Sequence, residues 1–286
     1  MVPPMKSLIV TADDFGLTRS INDGIIKAVR EGVVTSVALM PSGEAFGHAV
    51  GLAGTTGLNE VGAHLALTES LPVTDPSRVP TIVAGDGRFY GGRNQFFANF
   101  FLGHIRPEDL YLELKNQLEK ILDAGLSVSS ISSHEHIHLM PELLEVFLRL
   151  AKEHGIRAVR CVQRDRCVTP LTLKKIYKVT ILSCLRSRVE ALIKLSSVRC
   201  TDGYFGFLDA GYINEEIMMK ILGKLPEGVT ELNLHPGFMG PEILQRYRFH
   251  MNCEQELYSV TSPRVKKIIK NAGIKLITYG DFLRAR

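Results

Sequence analysis

Short β-rich runs alternate with helical patterns along nearly the whole chain, and this alternation constrains the fold more than any other feature. Strands that alternate with helices favour parallel βαβ units with right-handed crossovers. We therefore predict an α/β fold with a single-domain (β/α) barrel, incomplete or distorted, over residues 1–286. A doubly wound open sheet is the alternative. The predicted strands are 7–12, 33–40, 60–67, 127–132, 156–162, 228–237 and 274–280, and the predicted helices are 20–32, 107–125 and 141–155.

Two insertions interrupt this alternation, at about residues 68–106 and 165–200. The first is rich in Pro, Gly and aromatic residues, and in a barrel such a segment lies over the C-terminal face of the strands, where active sites are built. Within the second, residues 171–199 carry seven Lys or Arg and one acid, Glu190, with apolar residues at near-helical spacing. A basic amphipathic helix suits an anionic membrane surface. A barrel helix with a solvated basic face is the commoner case.

Composition narrows the classes of function and the compartment. The net charge of +4 is too mild for a dedicated nucleic-acid binder. Five cysteines without a CxxC pair favour reduced, intracellular thiols. The start of the chain shows no signal-peptide pattern, and no run of 18 apolar residues predicts a spanning helix. We expect a cytoplasmic protein; peripheral contact with the inner membrane face and a homo-oligomer both stay open.

Ionisable residues follow the predicted strands at equivalent places. Asp13 and Asp14 follow the first strand, His64 lies at the end of the third, and His134 and His235 follow two later strands. The carboxyl ends of parallel strands share one edge of the sheet, so these residues should converge there.

The residue types in this group match a divalent metal site. One carboxylate and two imidazoles make a facial ligand set with open positions for water and substrate. Zinc suits this set best, while Mg, Mn, Fe and Co stay open. A second carboxylate beside the metal would take a proton, and a separate histidine would protonate a leaving group. Taken singly, each residue has a structural alternative: a hydrogen-bonded histidine, a helix cap, or an adventitious histidine tract.

The stretch "SSHEHIHLMP" (132–141) raises a question of its own, because His134, His136 and His138 alternate. In an extended segment, alternate side chains point to one side, which would aim three imidazoles at one point. We expect the chain to turn before Pro141, which leaves His136 and His138 as supporting residues. The candidates for contact with substrate are His136, His138, Arg160, Arg88 and Tyr204.

Four separated motifs resemble those of the YdjC-like carbohydrate deacetylases, and they occur in the order of that family. They are "TADDFG" (11–16), "GAHLALT" (62–68), "SHEHIHLMP" (133–141) and "LHPGF" (234–238). The resemblance implies a TIM-barrel-like, metal-dependent hydrolase of N-acetylated sugars such as chitooligosaccharides, with one divalent ion, Mg or Zn.

The resemblance also implies a role for each site residue. Asp14, His64 and His134 would bind the metal, Asp13 would be the catalytic base, and His235 the catalytic acid or an orienting group. The reverse assignment of the two aspartates is the alternative. One departure is visible: many family members carry Asp-Ser before the first histidine of the third motif, and this chain has Ser132-Ser133. If that Asp orients a ligand, a weaker group or water takes its place here.

A further resemblance concerns the substrate. "GDGRFYGGRNQFF" and the 165–200 segment are similar to the hopanoid-biosynthesis-associated (HpnK-like) branch. That implies an N-acetylglucosaminyl hopanoid lipid as substrate, approached through the 171–199 segment and the aromatic residues of an 85–101 loop.

Other functions remain as alternatives. These are a diacetylchitobiose or chitooligosaccharide deacetylase, a non-catalytic sugar- or lipid-binding protein, and a metal-dependent phosphoesterase or isomerase. The intact set of Asp13, Asp14 and His235 argues against the binding protein, and the few carboxylates argue against a two-metal phosphatase.

Overall fold

The computed structural model describes residues 6–285 of the chain. The strands are β1 (Lys6–Phe15), β2 (Ser36–Leu39), β3 (Glu60–Leu65), β4 (Ser127–Ser133), β5 (Gly203–Phe205), β6 (Gly228–Leu234) and β7 (Lys275–Leu276). They form one seven-stranded sheet in the order β4-β3-β2-β1-β6-β5, with β7 beside β1, and the paired strands are parallel. All but the first residue of β1 is buried, as expected for a parallel strand that is covered on both faces.

The sheet curves into an irregular barrel. Beyond β4, parallel pairing continues through isolated bridges, from Ile131 to Val159 and from Ala158 to Arg199. A further bridge joins Asp165 to Tyr204 of β5, which pairs with β6. These bridges replace a regular strand on that side. The prediction of a distorted, single-domain barrel is therefore confirmed, and the open-sheet alternative is not needed.

Helices cover the outside of the sheet. They are α1 (Arg19–Glu31), α2 (Phe46–Thr56), α3 (Arg93–Phe101), α4 (Pro107–Asp123), α5 (Pro141–Glu153), α6 (Leu173–Leu195), α7 (Glu215–Gly223), α8 (Pro241–Gln245), α9 (Cys253–Thr261), α10 (Pro263–Asn271) and α11 (Tyr279–Arg284). The side chain of Thr18 caps α1 by accepting from the Ile21 N–H, and α1 buries Ile21, Ile25 and Ile26. None of the helices within residues 6–285 is long and apolar enough to cross a membrane.

Two predicted strands are wrong in extent. Residues 156–162 contribute only bridges at Ala158 and Val159, and a short 3₁₀ helix begins at Val162. The predicted strand 274–280 is limited to Lys275–Leu276, because Thr278 and Asp281 form a capping box that starts α11. The prediction that the start of the chain carries no signal peptide falls partly on residues 1–5, which lie outside the described residues.

The two segments predicted as insertions are packed very differently. In residues 68–106, Phe89 and Phe96 are buried in the main core, and Phe101 is 66% exposed at the end of α3. The prediction that these aromatic residues form an apolar approach to the site is therefore wrong for Phe89 and Phe96. In residues 165–200, α6 packs on α5 but buries only Leu182 and Val189.

Candidate metal and acid–base site

The polar residues at the strand ends do meet at one edge of the sheet. Asp13 and Asp14 lie near the carboxyl end of β1, and His64 lies in β3 opposite Ser132 of β4. His134 and His235 directly follow β4 and β6. All five ionisable side chains line one cavity of about 220 Å³.

Three of these residues form a cluster suited to a divalent cation. One ligand atom from each of Asp14, His64 and His134 lies within 4.8 Å of the others, and all three residues are buried. Asp14 Oδ1 is 2.9 Å from His134 Nδ1 and 3.4 Å from His64 Nε2. Asp14 has a backbone φ of 64°, uncommon for a residue other than glycine, so its carboxylate is aimed by a special local conformation.

The remaining nitrogen of each histidine meets a second polar group. His64 Nδ1 lies 2.9 Å from the Ser132 hydroxyl, so the serine that departs from the family motif contacts a candidate ligand directly. His134 Nε2 lies 3.3 Å from Glu69 Oε2. Such outer partners orient metal-binding imidazoles. Glu69, which also has a positive φ of 62°, lies on the loop after β3 and was not predicted.

The charges at Asp14 and His134 stabilise one another. Burial raises the pKa of Asp14, but the charge and hydrogen bonds of neighbouring histidines outweigh this effect and hold the pKa well below its usual value. Burial lowers the pKa of His134, and the Asp14 charge outweighs it and raises the pKa well above normal. His134 thus carries the positive charge that a divalent ion would supply beside the ionised Asp14, and it would release its proton on binding the ion, because an imidazole coordinates a metal only in its neutral form. This donor set, with one oxygen and two nitrogens, fits a divalent ion.

Asp13 is held by a buried ion-pair network. Arg160 donates to both of its carboxylate oxygens, at 2.6 and 2.8 Å, and the Asn233 amide donates to it at 2.8 Å. Arg160 also donates to Glu231 at 2.9 Å. Burial raises the pKa of Asp13, but the Arg160 charge and hydrogen bond more than offset it, so the pKa is lowered. Asp13 is thus ionised and fixed in place, as a base must be before it accepts a proton.

His235 approaches the same centre from the other side. Its Nε2 is 3.9 Å from Asp14 Oδ2, and its backbone N–H donates to Glu256. Burial lowers the pKa of His235, while Glu256 and the aspartates outweigh this and raise it. The loop that carries His235 packs tightly on α1, because a Cβ at Gly24 would lie 2.4 Å from Gly237 Cα.

A fourth histidine, His250, was missed by the sequence analysis. It is buried, lies on the short 3₁₀ helix Arg248–Asn252, and places Nε2 2.8 Å from Asp14 Oδ2. It follows no predicted strand, so the strand-end argument had no means of finding it. Only its residue type was visible in the sequence.

The histidine-rich stretch is not extended, so its three imidazoles do not meet at one point, and the chain turns before Pro141 as predicted. Residues His134–Leu139 form a 3₁₀ helix broken by positive φ angles of 53° at Glu135 and His136. His138 turns inward, 2.6 Å from the Ser133 hydroxyl and 3.1 Å from the Arg160 carbonyl. Burial lowers the pKa of His138 to about 3, which leaves it neutral.

The residues predicted to contact substrate lie in different places. His136 lines the cavity, its ring 5.1 Å from that of Phe207. Arg160 and Tyr204 are buried behind it, and the Tyr204 hydroxyl donates to Asn233 at 2.5 Å. Neither they nor Arg88 are among the side chains that line the cavity.

The mouth of the cavity is cationic. Arg93, Lys174 and Lys178 line it together with Arg246 and Arg248. Arg246 pairs with Glu44 at 2.6 Å. Burial, followed by the charges of Arg93 and Lys174, lowers the pKa of Lys178 to about 8.

Fold and site together define a class: a distorted parallel α/β barrel with a buried Asp/His/His cluster, suited to a cation, beside a fixed carboxylate and a histidine. The chain belongs to the YdjC-like protein family, whose model matches residues 7–271.

Individual relatives agree with the family. The chain is 30% identical over 275 residues to a carbohydrate deacetylase of Brevibacillus brevis, covering 96% of this chain and 98% of the relative. It is 28% identical over 278 residues to a carbohydrate deacetylase of Clostridium beijerinckii, with 96% and 99% covered. It is also similar to the crystal structure of an Enterococcus faecalis protein to which cellobiose-phosphate cleavage is only provisionally ascribed, with 27% identity, a TM-score of 0.81 and coverage of 97% and 99%.

Proposed function

We propose that this protein is a divalent-metal-dependent deacetylase that hydrolyses the N-acetyl amide of an amino sugar. The family and the curated relatives make it a carbohydrate deacetylase, and therefore a hydrolase. The observation that carries the metal dependence is the buried group of Asp14, His64 and His134, with ligand atoms within 4.8 Å of one another.

The reaction adds water across the amide to give acetate and a free amine. When bound, a divalent ion supplies Lewis-acid chemistry: it lowers the pKa of water and polarises a carbonyl. Asp13 accepts the proton of the attacking water, and the Arg160 pair keeps its carboxylate in position. His235 donates a proton to the nitrogen as the C–N bond breaks, so that the amine leaves in neutral form.

Acetate release tests this proposal. The purified protein should release acetate from N-acetylglucosamine-containing substrates, lose the activity on exhaustive chelation, and regain it on addition of Zn²⁺ or Mg²⁺. Asp14→Asn should not regain it. Full activity after chelation, with metal content confirmed near zero, would contradict the metal dependence while leaving the deacetylase class intact.

For the substrate, we propose an N-acetylglucosaminyl lipid of the hopanoid type, taken from a membrane surface. The support comes from α6, whose solvent-facing side combines large apolar side chains with basic ones. Leu173 is 86% exposed, Tyr177 65% and Leu195 87%. Lys174 and Lys178 on the same helix line the cavity, so this surface borders the mouth.

The charges on α6 favour an anionic bilayer over a second copy of the chain as the partner of this surface. The segment 171–199 has seven basic residues against one acid. Three of them, Lys175, Arg186 and Arg188, form ion pairs with carboxylates, while Lys174 and Lys194 are exposed without such a pair among the described residues. Two copies of α6 placed face to face would bring like charges together, whereas anionic lipid headgroups would neutralise them. The apolar side chains between the lysines would enter the headgroup boundary.

A soluble, anionic oligosaccharide of amino sugars is the second candidate substrate. The cations Arg93, Lys174 and Lys178 at the mouth favour it, because they would bind a phosphate or carboxylate. The provisional description of the Enterococcus neighbour includes a sugar phosphate. An unmodified chitooligosaccharide would use the same cavity without this contact.

One substrate panel separates these candidates. Acetate release is compared for a GlcNAc-lipid in anionic vesicles, the same lipid in neutral vesicles, a chitooligosaccharide and a phosphorylated chitooligosaccharide. The lipid proposal expects the highest kcat/KM on anionic vesicles. Lys174→Glu/Lys178→Glu should then reduce turnover of the vesicle lipid and spare the unmodified oligosaccharide. If the variant instead raises KM only for the phosphorylated oligosaccharide, the second candidate is favoured.

A further inference from the structure

We infer that His250 is a positioning residue for the candidate metal carboxylate: it holds Asp14 Oδ2, so that Oδ1 alone faces His64 and His134. The inference rests on the proposed metal-dependent function. It concerns how the site is built, and it assigns a role to a residue that no motif predicted.

The two oxygens of Asp14 have separate surroundings. Oδ1 lies 2.9 Å from His134 Nδ1 and 3.4 Å from His64 Nε2. Oδ2 lies 2.8 Å from His250 Nε2, with His235 Nε2 farther away at 3.9 Å. The carboxylate is therefore divided between a side with two candidate ligands and a side with one hydrogen-bond donor.

Contacts other than the one with Asp14 also hold His250 in place. Its backbone N–H donates to the Tyr247 carbonyl at 2.9 Å. Its ring packs edge-on against Phe249 at 5.4 Å and His235 at 5.7 Å between centroids. Its Nδ1 is buried and finds no partner among the described residues, so Asp14 is the one polar group that its ring engages there. An ionised carboxylate only accepts, so Nε2 is the donor in this contact.

The geometry argues against His250 as a fourth ligand. The set of groups whose ligand atoms lie within 4.8 Å of one another contains Asp14, His64 and His134, and not His250. A hydrogen bond to Oδ2 prevents that oxygen from rotating toward the cation. His250 would thus favour binding through one oxygen and keep a coordination position open. Outer partners of this kind change metal affinity by about 10–100-fold.

Metal binding to the apo-protein tests the inference directly. Zn²⁺ is titrated calorimetrically into chelator-stripped wild type, His250→Leu and His250→Gln. We expect one site in each protein, a Kd about 10–100-fold weaker in His250→Leu, and recovery to within a few-fold in His250→Gln, whose amide N–H can replace the donor. Thermal unfolding of the apo-proteins checks that the variants are folded. If His250→Leu does not fold, His250→Asn replaces it, because its shorter amide stops short of Asp14 and should bind Zn²⁺ as weakly.

Each other outcome has a defined meaning. Loss of the site in both His250→Leu and His250→Gln would make His250 a ligand. Unchanged Zn²⁺ affinity, with or without loss of kcat, would also overturn the positioning role, and equal weakening without rescue by Gln would make the effect one of packing. If wild type binds no Zn²⁺, Mn²⁺ or Mg²⁺ at all, the proposed metal dependence fails, and this result is distinguishable from the others.

Discussion

The two ends of the cavity differ in burial and in charge pairing. The floor is formed by Asp13, Asp14, His64, His134 and His235, and the mouth by the cations named above. At the floor, the side chains are buried and each carboxylate has a positive or donating partner, as in the contact of Arg160 with Asp13 and Glu231. At the mouth, α6 leaves Leu173 and Tyr177 in solvent, and the cations Lys174 and Lys178 face the cavity.

In the proposed function, the floor carries out the reaction and the mouth selects the substrate. A buried network holds reacting groups in one arrangement, because an unpaired charge there is costly. An exposed helix imposes no such constraint, so its surface can suit a particular substrate or membrane without disturbing the floor. Variants at the floor should therefore change metal binding and kcat, and variants at the mouth should change the choice of substrate.

The largest effect is expected at the floor, from His64→Ala. The cluster would lose one of its two imidazoles, and we expect bound metal to fall from about one equivalent to near zero, measured by elemental analysis after dialysis. His104→Ala, at an exposed histidine in the loop between α3 and α4, is the matched control. Full metal content in His64→Ala would remove His64 from the ligand set.

Asp13→Asn should have the next largest effect. It removes proton transfer while it keeps a side chain of the same shape, so kcat should fall by about 10²–10⁴-fold with the metal retained. The variant also weakens a buried ion pair, so a lower melting temperature is expected, and Arg160 keeps Glu231 as a partner. An empty metal site in Asp13→Asn, with metal retained in Asp14→Asn, would show that the two aspartates have exchanged roles.

A smaller effect is expected at the mouth from Leu173→Ser/Tyr177→Ser. Neither residue lines the cavity, but both would enter a lipid interface, and the loss of their apolar surface should weaken partitioning to anionic vesicles by about tenfold. Activity on a soluble oligosaccharide should stay within about twofold of wild type, because the floor is untouched. Co-sedimentation with vesicles measures the first quantity and acetate release the second.

The control for that variant is Tyr212→Ser/Tyr258→Ser, since both tyrosines are more than 60% exposed and Tyr258 lies beside Glu215, Glu216 and Glu254. An acidic surface should not meet anionic lipid, so partitioning should be unchanged. Equal partitioning of wild type and both double variants would mean that α6 is a solvated helix that does not enter the lipid. Any selection of substrate at the mouth would then depend on its cations alone.

The smallest effect is expected at Asp165, which accepts from the Leu208 N–H next to the Phe207 wall of the mouth. Burial raises the pKa of Asp165 to about 8, so the folded protein keeps a proton that the unfolded chain loses near its ordinary pKa. Stability should therefore decline as pH rises from about 4 to 8. Asp165→Asn should remove this pH-dependent loss of stability. The melting temperature of the variant minus that of wild type should therefore increase by a few degrees between pH 5 and 8. Parallel pH profiles of the two proteins would contradict the buried, protonated state.

Much of the floor could be predicted because parallel strands impose it. Once β1, β3, β4 and β6 are recognised, their carboxyl ends must share one edge, and Asp13, Asp14, His64, His134 and His235 follow. That argument does not extend to residues that are placed by a loop or by a neighbouring element. Arg160 appeared to be a substrate contact, yet the curvature of the barrel buries it against Asp13.

The sequence by itself determined the α/β class, the alternation of strands and helices, and the group of residues that converge at the sheet edge, because these depend on local periodicity and on the rule that parallel strands end together. Only the tertiary structure decided the rest. The contacts of Glu69 and His250 and the partners of Arg160 all join segments far apart in the chain. The positive φ of Asp14 is local, but no pattern in the sequence marks it. The exposure of α6 is of the same kind: a helical pattern shows which residues share a face, and only the packing of the neighbouring elements decides whether that face is covered.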